Sequence, residues 1–329
     1  MITSLKNRRI PKLISVIAPV YNEEEALPHF FERVYNTLKD FPKWEMIFVD
    51  DGSKDKSVAV IRELQKTHKN IKLISFSRNY GHQTALIAGY EHAFGEVVIT
   101  LDSDGQHPPE FILELLDSWS QGYFIVFGRR GNLDSVGFFK RVTSAMFYKL
   151  INRISSVELQ ENVPDFRLMD QQVVKYLRQF QESRPFLRGI ISDIGFTRKV
   201  IDYQQEDRRY GESKYTLKAM LQLALSGIMS FSPVPLRLAT YFGILISFGA
   251  IGLALAILMF RSFFGYSVDG VPSILVGTFF MGGVQLICLG ILGEYVTKLF
   301  FEVKKRPRYC IQEFFDPAQV DLELADKEQ

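Results

Sequence analysis

The sequence predicts an α/β domain built on a mostly parallel sheet, followed by a membrane-surface helix and a hairpin of two membrane-spanning helices. Three observations carry this prediction. Short β-branched apolar runs alternate with helix-like segments through the first 130 residues, the pattern of strands joined by crossover helices and covered on both faces. Each apolar run stops at polar or charged residues. Two later runs, Leu238–Phe260 and Val271–Gly293, hold 23 residues each without a charge.

Residues 13–20 form the first expected strand. They are too short for a signal peptide and run without a small-residue cleavage site into Tyr21-Asn22-Glu23-Glu24-Glu25. Asn22 is the expected N-cap of a helix whose first turn holds the glutamates. Glu45–Val49 is a second strand, ending in Asp50-Asp51-Gly52-Ser53, with a helix over Lys54–Thr67. Ile71–Phe76 is a third, with a helix over Gln83–Phe94. Glu96–Leu101 is a fourth, and Pro108-Pro109 opens the next helix, since proline suits a first helical position. Phe124–Phe127 is a fifth, ending in Gly128-Arg129-Arg130. Residues 131–209 are less regular and complete the domain, which spans 1–210.

Residues 211–235 are the expected juxtamembrane segment. Within them, Tyr215–Phe231 is apolar but carries Lys218 and Gln222 and breaks at Ser232-Pro233-Val234-Pro235. A helix lying on the membrane surface fits this pattern, and an ordinary packed helix fits it too. Residues 236–303 hold the two spans, at about 238–260 and 271–293. A helix of 23 residues is about 35 Å long against a hydrocarbon core of about 30 Å. The connection 261–270 carries only Arg261 and Asp269. Lys298, Lys304, Lys305, Arg306 and Arg308 follow the second apolar run. The positive-inside rule therefore expects a multi-pass protein of the inner (plasma) membrane with its N-terminal domain and its tail, 304–329, in the cytoplasm. The tail beyond Tyr309 is expected to fray. Gly243, Gly249, Gly252, Gly277, Gly282, Gly283 and Gly290 permit close helix approach, so a homo-oligomer is expected.

The balance of 39 Lys and Arg against 37 Asp and Glu argues against a nucleic-acid partner. Cys288 and Cys310, the only cysteines, make neither a disulfide framework nor a zinc spacing.

The chemistry is concentrated at the strand ends. In open parallel sheets, ligands bind beyond the carboxyl ends of the strands. There the sequence has Tyr21-Asn22-Glu23, Asp50-Asp51, Ser77-Arg78, Asp102-Ser103-Asp104 and Gly128-Arg129. Asp102 and Asp104, two apart where a strand ends, are hard oxygen ligands suited to Mg²⁺ or Mn²⁺ holding a diphosphate. A turn rich in Asp, Ser and Gly explains the same residues.

Ala18-Pro19-Val20-Tyr21-Asn22-Glu23, Val49-Asp50-Asp51-Gly52-Ser53, Asp102-Ser103-Asp104-Gly105-Gln106 and Gly128-Arg129-Arg130 occur in that order. In this the chain resembles family 2 glycosyltransferases of the Rossmann-like GT-A fold. Arg208-x-x-Gly211-Glu212-Ser213-Lys214-Tyr215 and the two spans are similar to the polyprenyl-phosphate glycosyltransferases, relatives of dolichol-phosphate mannose synthase and of bacterial undecaprenyl-phosphate glucosyltransferases. The resemblance covers residues 13 to about 310.

That resemblance implies roles. Asp50 and Asp51 hold the nucleotide base and ribose, in a donor pocket lined by Pro19, Tyr21 and Glu23. Arg78 and Arg129 belong to the donor site, Arg129 against the diphosphate. Asp102 and Asp104 bind the metal, with Gln106 an added candidate ligand. Arg208, Ser213 and Lys214 take the acceptor phosphate, as a guanidinium fork and a point charge do. Lys140 and Arg141 read as solvated surface charges. Asp165 matches the catalytic carboxylate, either as base or as orienting group, and Asp170 competes with it from outside the matching position.

The implied function is metal-dependent inverting transfer of a hexose, glucose from UDP-glucose, to undecaprenyl or another polyprenyl phosphate. The alternatives are the same reaction with GDP-mannose or a UDP-aminopentose, and a membrane protein that binds nucleotide sugar without turning it over. A processive synthase is disfavoured, because Trp44 and Trp119 stand in no Gln-x-x-Arg-Trp context.

Overall fold

A computed structural model describes residues 10–131, 164–183, 185–204, 234–264 and 270–317. They fall into two units. One holds the sheet with its helices and takes up the chain again from Pro307. The other is a helical hairpin.

The first unit is an eight-stranded sheet: β1 Ile14–Val20, β2 Trp44–Asp50, β3 Ile71–Phe76, β4 Val97–Thr100, β5 Ile125–Arg130, β6 Arg167–Asp170, β7 Arg198–Tyr203 and β8 Ile311–Phe315. Their spatial order is β7-β5-β6-β4-β1-β2-β3-β8. β1 pairs in parallel with β2 and β4, β2 with β3, and β5 with β7. β6 runs antiparallel between β4 and β5, and β8 antiparallel along β3. The sheet is therefore Rossmann-like and mostly parallel. All seven residues of β1 are buried, as expected for a strand covered on both faces.

The helices are α1 Leu27–Leu38, α2 Ser57–Thr67, α3 His82–His92, α4 Ile112–Ser120, α5 Gln171–Leu177 and α6 Leu187–Asp193. α1 buries Leu27, Phe30, Phe31, Val34 and Leu38 on one stripe, the 3.6-residue period of an amphipathic helix. α3 buries six consecutive residues, Ala85–Tyr90. It approaches the sheet so closely that a Cβ on Gly89 would lie 2.3 Å from the Ile17 side chain.

The fold departs from the sequence expectation in three places. Asn22 is not an N-cap: it has φ +56° and α1 starts at Leu27 with a proline in its first turn. The Asn22 side chain instead accepts the Lys54 N–H at 2.8 Å, tying the β1 loop to the β2 loop. Residues 167–170 and 198–203 are strands, hidden in sequence by their charged residues. Within the tail, Ile311–Phe315 form β8 instead of fraying, with Tyr309 stacked on Phe76 and bonded to Glu91, and Lys72 bridging to Asp316 at 2.8 Å.

The second unit is α7 Val234–Phe264 and α8 Val271–Lys304. Leu236–Ile257 and Val276–Lys304 are long and apolar enough to cross a membrane. Their large apolar side chains are uncovered, with Phe248 71% and Phe279 77% exposed. A core helix of a water-soluble protein would bury such side chains. α8 continues eleven residues past Gly293, because Glu294, Lys298 and Glu302 are compatible with helix although they end the charge-free run. It stops at Lys305, in the left-handed region at φ +44°. Among the described residues, nothing lies within 4 Å of a Cβ built on Gly243, Gly249, Gly252, Gly277, Gly282, Gly283 or Gly290. Lys140, Arg141, Arg208, Ser213, Lys214 and the juxtamembrane helix expected over 215–231 lie outside the described residues.

Candidate active site

Six strands, β1–β5 and β7, point one way, so their carboxyl ends share one rim. Because β6 is antiparallel, its amino end reaches the same rim: Thr100, closing β4, pairs with Arg167, opening β6. The Thr100 hydroxyl donates to the Asp165 carbonyl at 2.6 Å. This brings Asp165 beside Asp102, although 63 residues separate them in sequence. Asp170, at the other end of β6, is carried away from the rim. Its carboxylate caps α5 through the Gln172 N–H at 2.9 Å and accepts from Trp119 Nε1 at 2.9 Å. It is a structural cap, which removes it as a rival to Asp165.

The β2 and β3 loops are locked together by the first acidic pair. Asp50 accepts from the Ser75 hydroxyl at 2.8 Å and from the Ser53 N–H at 3.1 Å. Asp51 accepts from the Tyr80 N–H at 2.6 Å and the Gly81 N–H at 2.9 Å. Burial raises the Asp51 carboxyl, and these backbone donors oppose that rise. Gly52, at φ +70°, has no room for a side chain, since a Cβ would lie 2.5 Å from the Arg78 carbonyl carbon. Beside these loops is a cavity of about 660 Å³ whose wall includes Tyr21, Asp50, Ser75, Arg78, Gln312 and Glu313. Arg78 is exposed and stacks on the Tyr80 ring at 4.1 Å. Pro19 is buried within β1, and its carbonyl accepts from the Ser103 hydroxyl at 2.9 Å. The Glu23 N–H donates to Ser57 Oγ at 2.9 Å, and the Glu23 carbonyl caps the start of α1.

The second acidic loop is anchored beneath and partly open above. Ser103 is buried and holds the loop to β1. His107 is fully buried, and its Nδ1 accepts the Asp102 N–H at 2.9 Å, so the ring proton is on Nε2. The ring stacks on Phe166 at 4.9 Å, and Nε2 has no hydrogen-bond partner among the described residues. Burial keeps this imidazole below the ordinary histidine range, against the pull of Asp102 and Asp104. Asp104 accepts the Gln106 N–H at 3.0 Å across Gly105 at φ +78°. The turn reading of this segment is thus correct as local geometry, and it coexists with two carboxylates that are only partly buried.

Those carboxylates suit a divalent cation whose remaining ligands come from a diphosphate and water, because Mg²⁺ is ordinarily held by one or two carboxylates plus substrate phosphates. Among the described residues no three His, Cys, Asp or Glu side chains converge as a self-sufficient metal cage.

Asp165 is the hub of the rim. It is 5% exposed and ion-paired to Arg167, itself 1% exposed. Its other oxygen faces Arg188 at 3.3 Å, Gln83 Nε2 at 3.3 Å and His82 Nε2 at 3.4 Å. Burial alone would raise this carboxyl, but Arg188, Arg167 and His82 together hold it well below the usual carboxylate range. His82 also faces Asp102 at 3.7 Å. Burial lowers its imidazole, yet the Asp165 hydrogen bond and the two carboxylate charges push it up to about 9. The side chain is 43% exposed, so water screens part of that pull.

The two arginines closing β5 point to opposite faces, as strand neighbours must. Arg129 forms a bidentate pair with Asp202, at 2.6 and 3.0 Å, and both are half-exposed. Arg130 lies on the Tyr203 side, with its Nε buried and unpaired among the described residues. Its charge is felt by His107 and by Tyr203, whose hydroxyl burial pushes up to about 12.

Sequence reasoning missed His82, His107, Arg130, Arg167 and Arg188. The Gln-His-Pro-Pro run after Asp104, and the two-residue spacing of Asp165 and Arg167, were usable signals for two of them. The others are assembled only by the sheet.

Residues 15–178 match the family described as glycosyl transferase family 2. The bactoprenol glucosyl transferase of Shigella phage SfII is 40% identical over 91% of this chain and 97% of its own. The prophage bactoprenol glucosyl transferase homolog of Escherichia coli K12 is 39% identical over 91% and 98%. The uncharacterized glycosyltransferase YkcC of Bacillus subtilis is 37% identical over 92% and 94%. A solved mannosyltransferase from Pyrobaculum calidifontis, in complex with GDP-Man and Mn²⁺, aligns with 88% of both chains at 15% identity and a TM-score of 0.48, too loose a likeness to bear on ligands. Relatives this similar, matched along nine tenths of their length, make the chain a member of glycosyl transferase family 2, a glycosyltransferase with a GT-A domain.

Proposed function

We propose that the protein transfers glucose from UDP-glucose to a polyprenyl phosphate such as undecaprenyl phosphate, with inversion at the anomeric carbon. The observation that carries this reading is the convergence of Asp102 and Asp165 on His82, at 3.7 and 3.4 Å. It puts a candidate cation ligand and a buried carboxylate at one opening of the rim. The bactoprenol glucosyl transferase names of the phage relatives support the lipid acceptor and the sugar.

Asp102 and Asp104, with the Gln106 side chain as an added donor, would hold Mg²⁺ or Mn²⁺ against the donor diphosphate. Such a cation, when bound, neutralises the leaving nucleoside diphosphate. Tyr21, Asp50, Asp51 and Arg78, with Pro19 and Glu23 behind them, would line the nucleotide site. Asp50 and Asp51 serve it largely by fixing the two loops. Arg129 reaches a diphosphate only by exchanging Asp202. Arg208, Ser213 and Lys214 are proposed to take the acceptor phosphate.

The acceptor needs little help to ionise, because a phosphate monoester has a second pKa of about 6. The depressed Asp165 carboxyl favours an orienting role over that of a base. Its role in this reading is electrostatic: it fixes Arg188 and His82 and offsets part of their positive charge at the rim.

The domain and tail are assigned to the cytoplasmic side. The lysines and arginines after the second span support that side, and the return of the chain to the sheet after two spans supports one side for both domain and tail. The exposed glycines of α7 and α8 leave room for contacts with a second copy.

The test is to incubate purified protein with labelled UDP-glucose, GDP-mannose and a UDP-aminopentose, each with polyprenyl phosphate and Mg²⁺ or Mn²⁺. Glucose appearing on lipid supports the reading. Transfer from another donor alone replaces glucose, and donor binding without any transfer overturns the proposed reaction.

A further inference from the structure

The strand that follows the membrane hairpin forms one wall of the cavity at the carboxyl ends of β2 and β3. β8 pairs with β3 so that Ser75 opposes Glu313, but Phe76 opposes Ile311. Gln312 is therefore an extra residue, a bulge. Consecutive residues of a regular strand face opposite sides of a sheet. A bulge re-aims a side chain, and bulges recur beside active sites. Here both Gln312 and Glu313 line the same cavity, together with Asp50, Ser75 and Arg78.

The two residues differ in what they have left to offer. Glu313 is committed to Arg62 of α2 by a two-point ion pair. Gln312 is exposed, and its amide makes no hydrogen bond among the described residues. The flanking backbone is pinned, with the Ser77 N–H donating to the Cys310 carbonyl at 3.0 Å and Tyr309 stacked on Phe76. A rigid strand thus presents one uncommitted amide, with an acceptor oxygen and two N–H donors, across a cavity of about 660 Å³. That volume lies within the range of small-molecule sites.

We propose that Gln312 reads the base of the nucleotide donor, its amide pairing with a ring N–H and the adjacent carbonyl, the edge that uracil presents. This rests on the reading of the cavity as the donor site and adds a specificity residue that lies beyond the matched family region, which ends at residue 178. It also makes the donor site depend on chain supplied after the membrane helices.

The test uses full-length protein in detergent with Mg²⁺, titrated calorimetrically with UDP and with N3-methyl-UDP, which lacks the ring N–H. In the natural protein, methylation is expected to weaken binding about tenfold, the worth of one hydrogen bond. In Gln312→Ala, UDP is expected to bind about tenfold more weakly, and the cost of methylation to fall below about threefold. A merely structural role would weaken both ligands alike and leave the methylation cost unchanged. An equal methylation cost in both proteins, with UDP bound, overturns the role of Gln312 alone. Failure of the natural protein to bind UDP overturns the donor reading and this inference with it.

Discussion

Asp165 and Arg167, two residues apart at the opening of β6, form an ion pair with 5% and 1% of their surfaces exposed. Residues at that spacing share a face of an extended chain, so the pair is built into the strand. Its surroundings decide its chemistry. With Arg188 and His82 also on the carboxylate, Asp165 is held well below the usual carboxylate range.

Asp165→Asn should therefore cost stability as well as activity. It leaves the Arg167 guanidinium buried without its counter-charge, a loss of about 3–5 kcal/mol in typical buried pairs. The sign with pH follows from a carboxyl held below its unfolded value. Its contribution is fully present above about pH 4 and fades as pH falls through the folded pKa. Denaturant titrations of both proteins should show a gap that is constant from pH 5 to 7 and narrows in stronger acid. A gap that instead opened on acidification would contradict the depressed carboxyl.

Asp104→Ala should abolish metal-dependent transfer, lowering turnover by at least about a hundredfold, the scale on which loss of transition-state charge stabilisation is felt. Asp104 is partly exposed, so the variant should melt within a few degrees of the natural protein. Lipid-linked radiolabel reads the first outcome and a thermal melt the second. Retained activity would remove the metal assignment.

His107 holds the Asp102 N–H from below, so its replacement should be felt in the loop above. His107→Ala removes a buried acceptor and a stacked ring and is expected to cost about 3 kcal/mol. His107→Asn, which keeps an acceptor near the Nδ1 position, should recover part of the lost Mn²⁺-dependent UDP binding without restoring the stacking with Phe166. Calorimetry with UDP and Mn²⁺ distinguishes the two variants. Equal binding by both would show that the Asp102 N–H bond is dispensable.

The Arg129–Asp202 pair is half-exposed, and such pairs contribute about 0–1 kcal/mol. Arg129→Ala should leave stability nearly unchanged. Arg130 acts on Tyr203 and His107, the same two side chains that feel Asp102 and Asp104. Arg130→Ala should weaken UDP binding more than Arg129→Ala does, measured side by side. The reverse order would return the diphosphate to Arg129.

Cys310 is exposed just before β8, whereas Cys288 lies within a candidate span. In a Cys288→Ser background, a membrane-impermeant maleimide should label Cys310 in inside-out vesicles and not in intact cells. Labelling in intact cells would reverse the proposed sidedness.

The sequence by itself determined the features that are local in the chain. A β-branched run ending in Asp-Asp-Gly-Ser or Asp-Ser-Asp-Gly announces a strand and its loop, and 23 residues without a charge announce a long apolar helix fit to cross a membrane. Each is a property of consecutive side chains. The tertiary structure decided what depends on pairing across distance. β6 carries charges at both ends of four residues and β8 follows two long apolar helices, so neither has a local signature strong enough to be read. Their antiparallel insertion is nevertheless what sets Asp165 between Arg167, Arg188 and His82, sends Asp170 to the far rim, and brings Gln312 to the cavity. The strand ends offered a list of carboxylates. Which are buried, which are charge-paired and which remain open to a ligand was settled by sheet register, because solvation and electrostatic partners belong to the folded neighbourhood and not to the chain order.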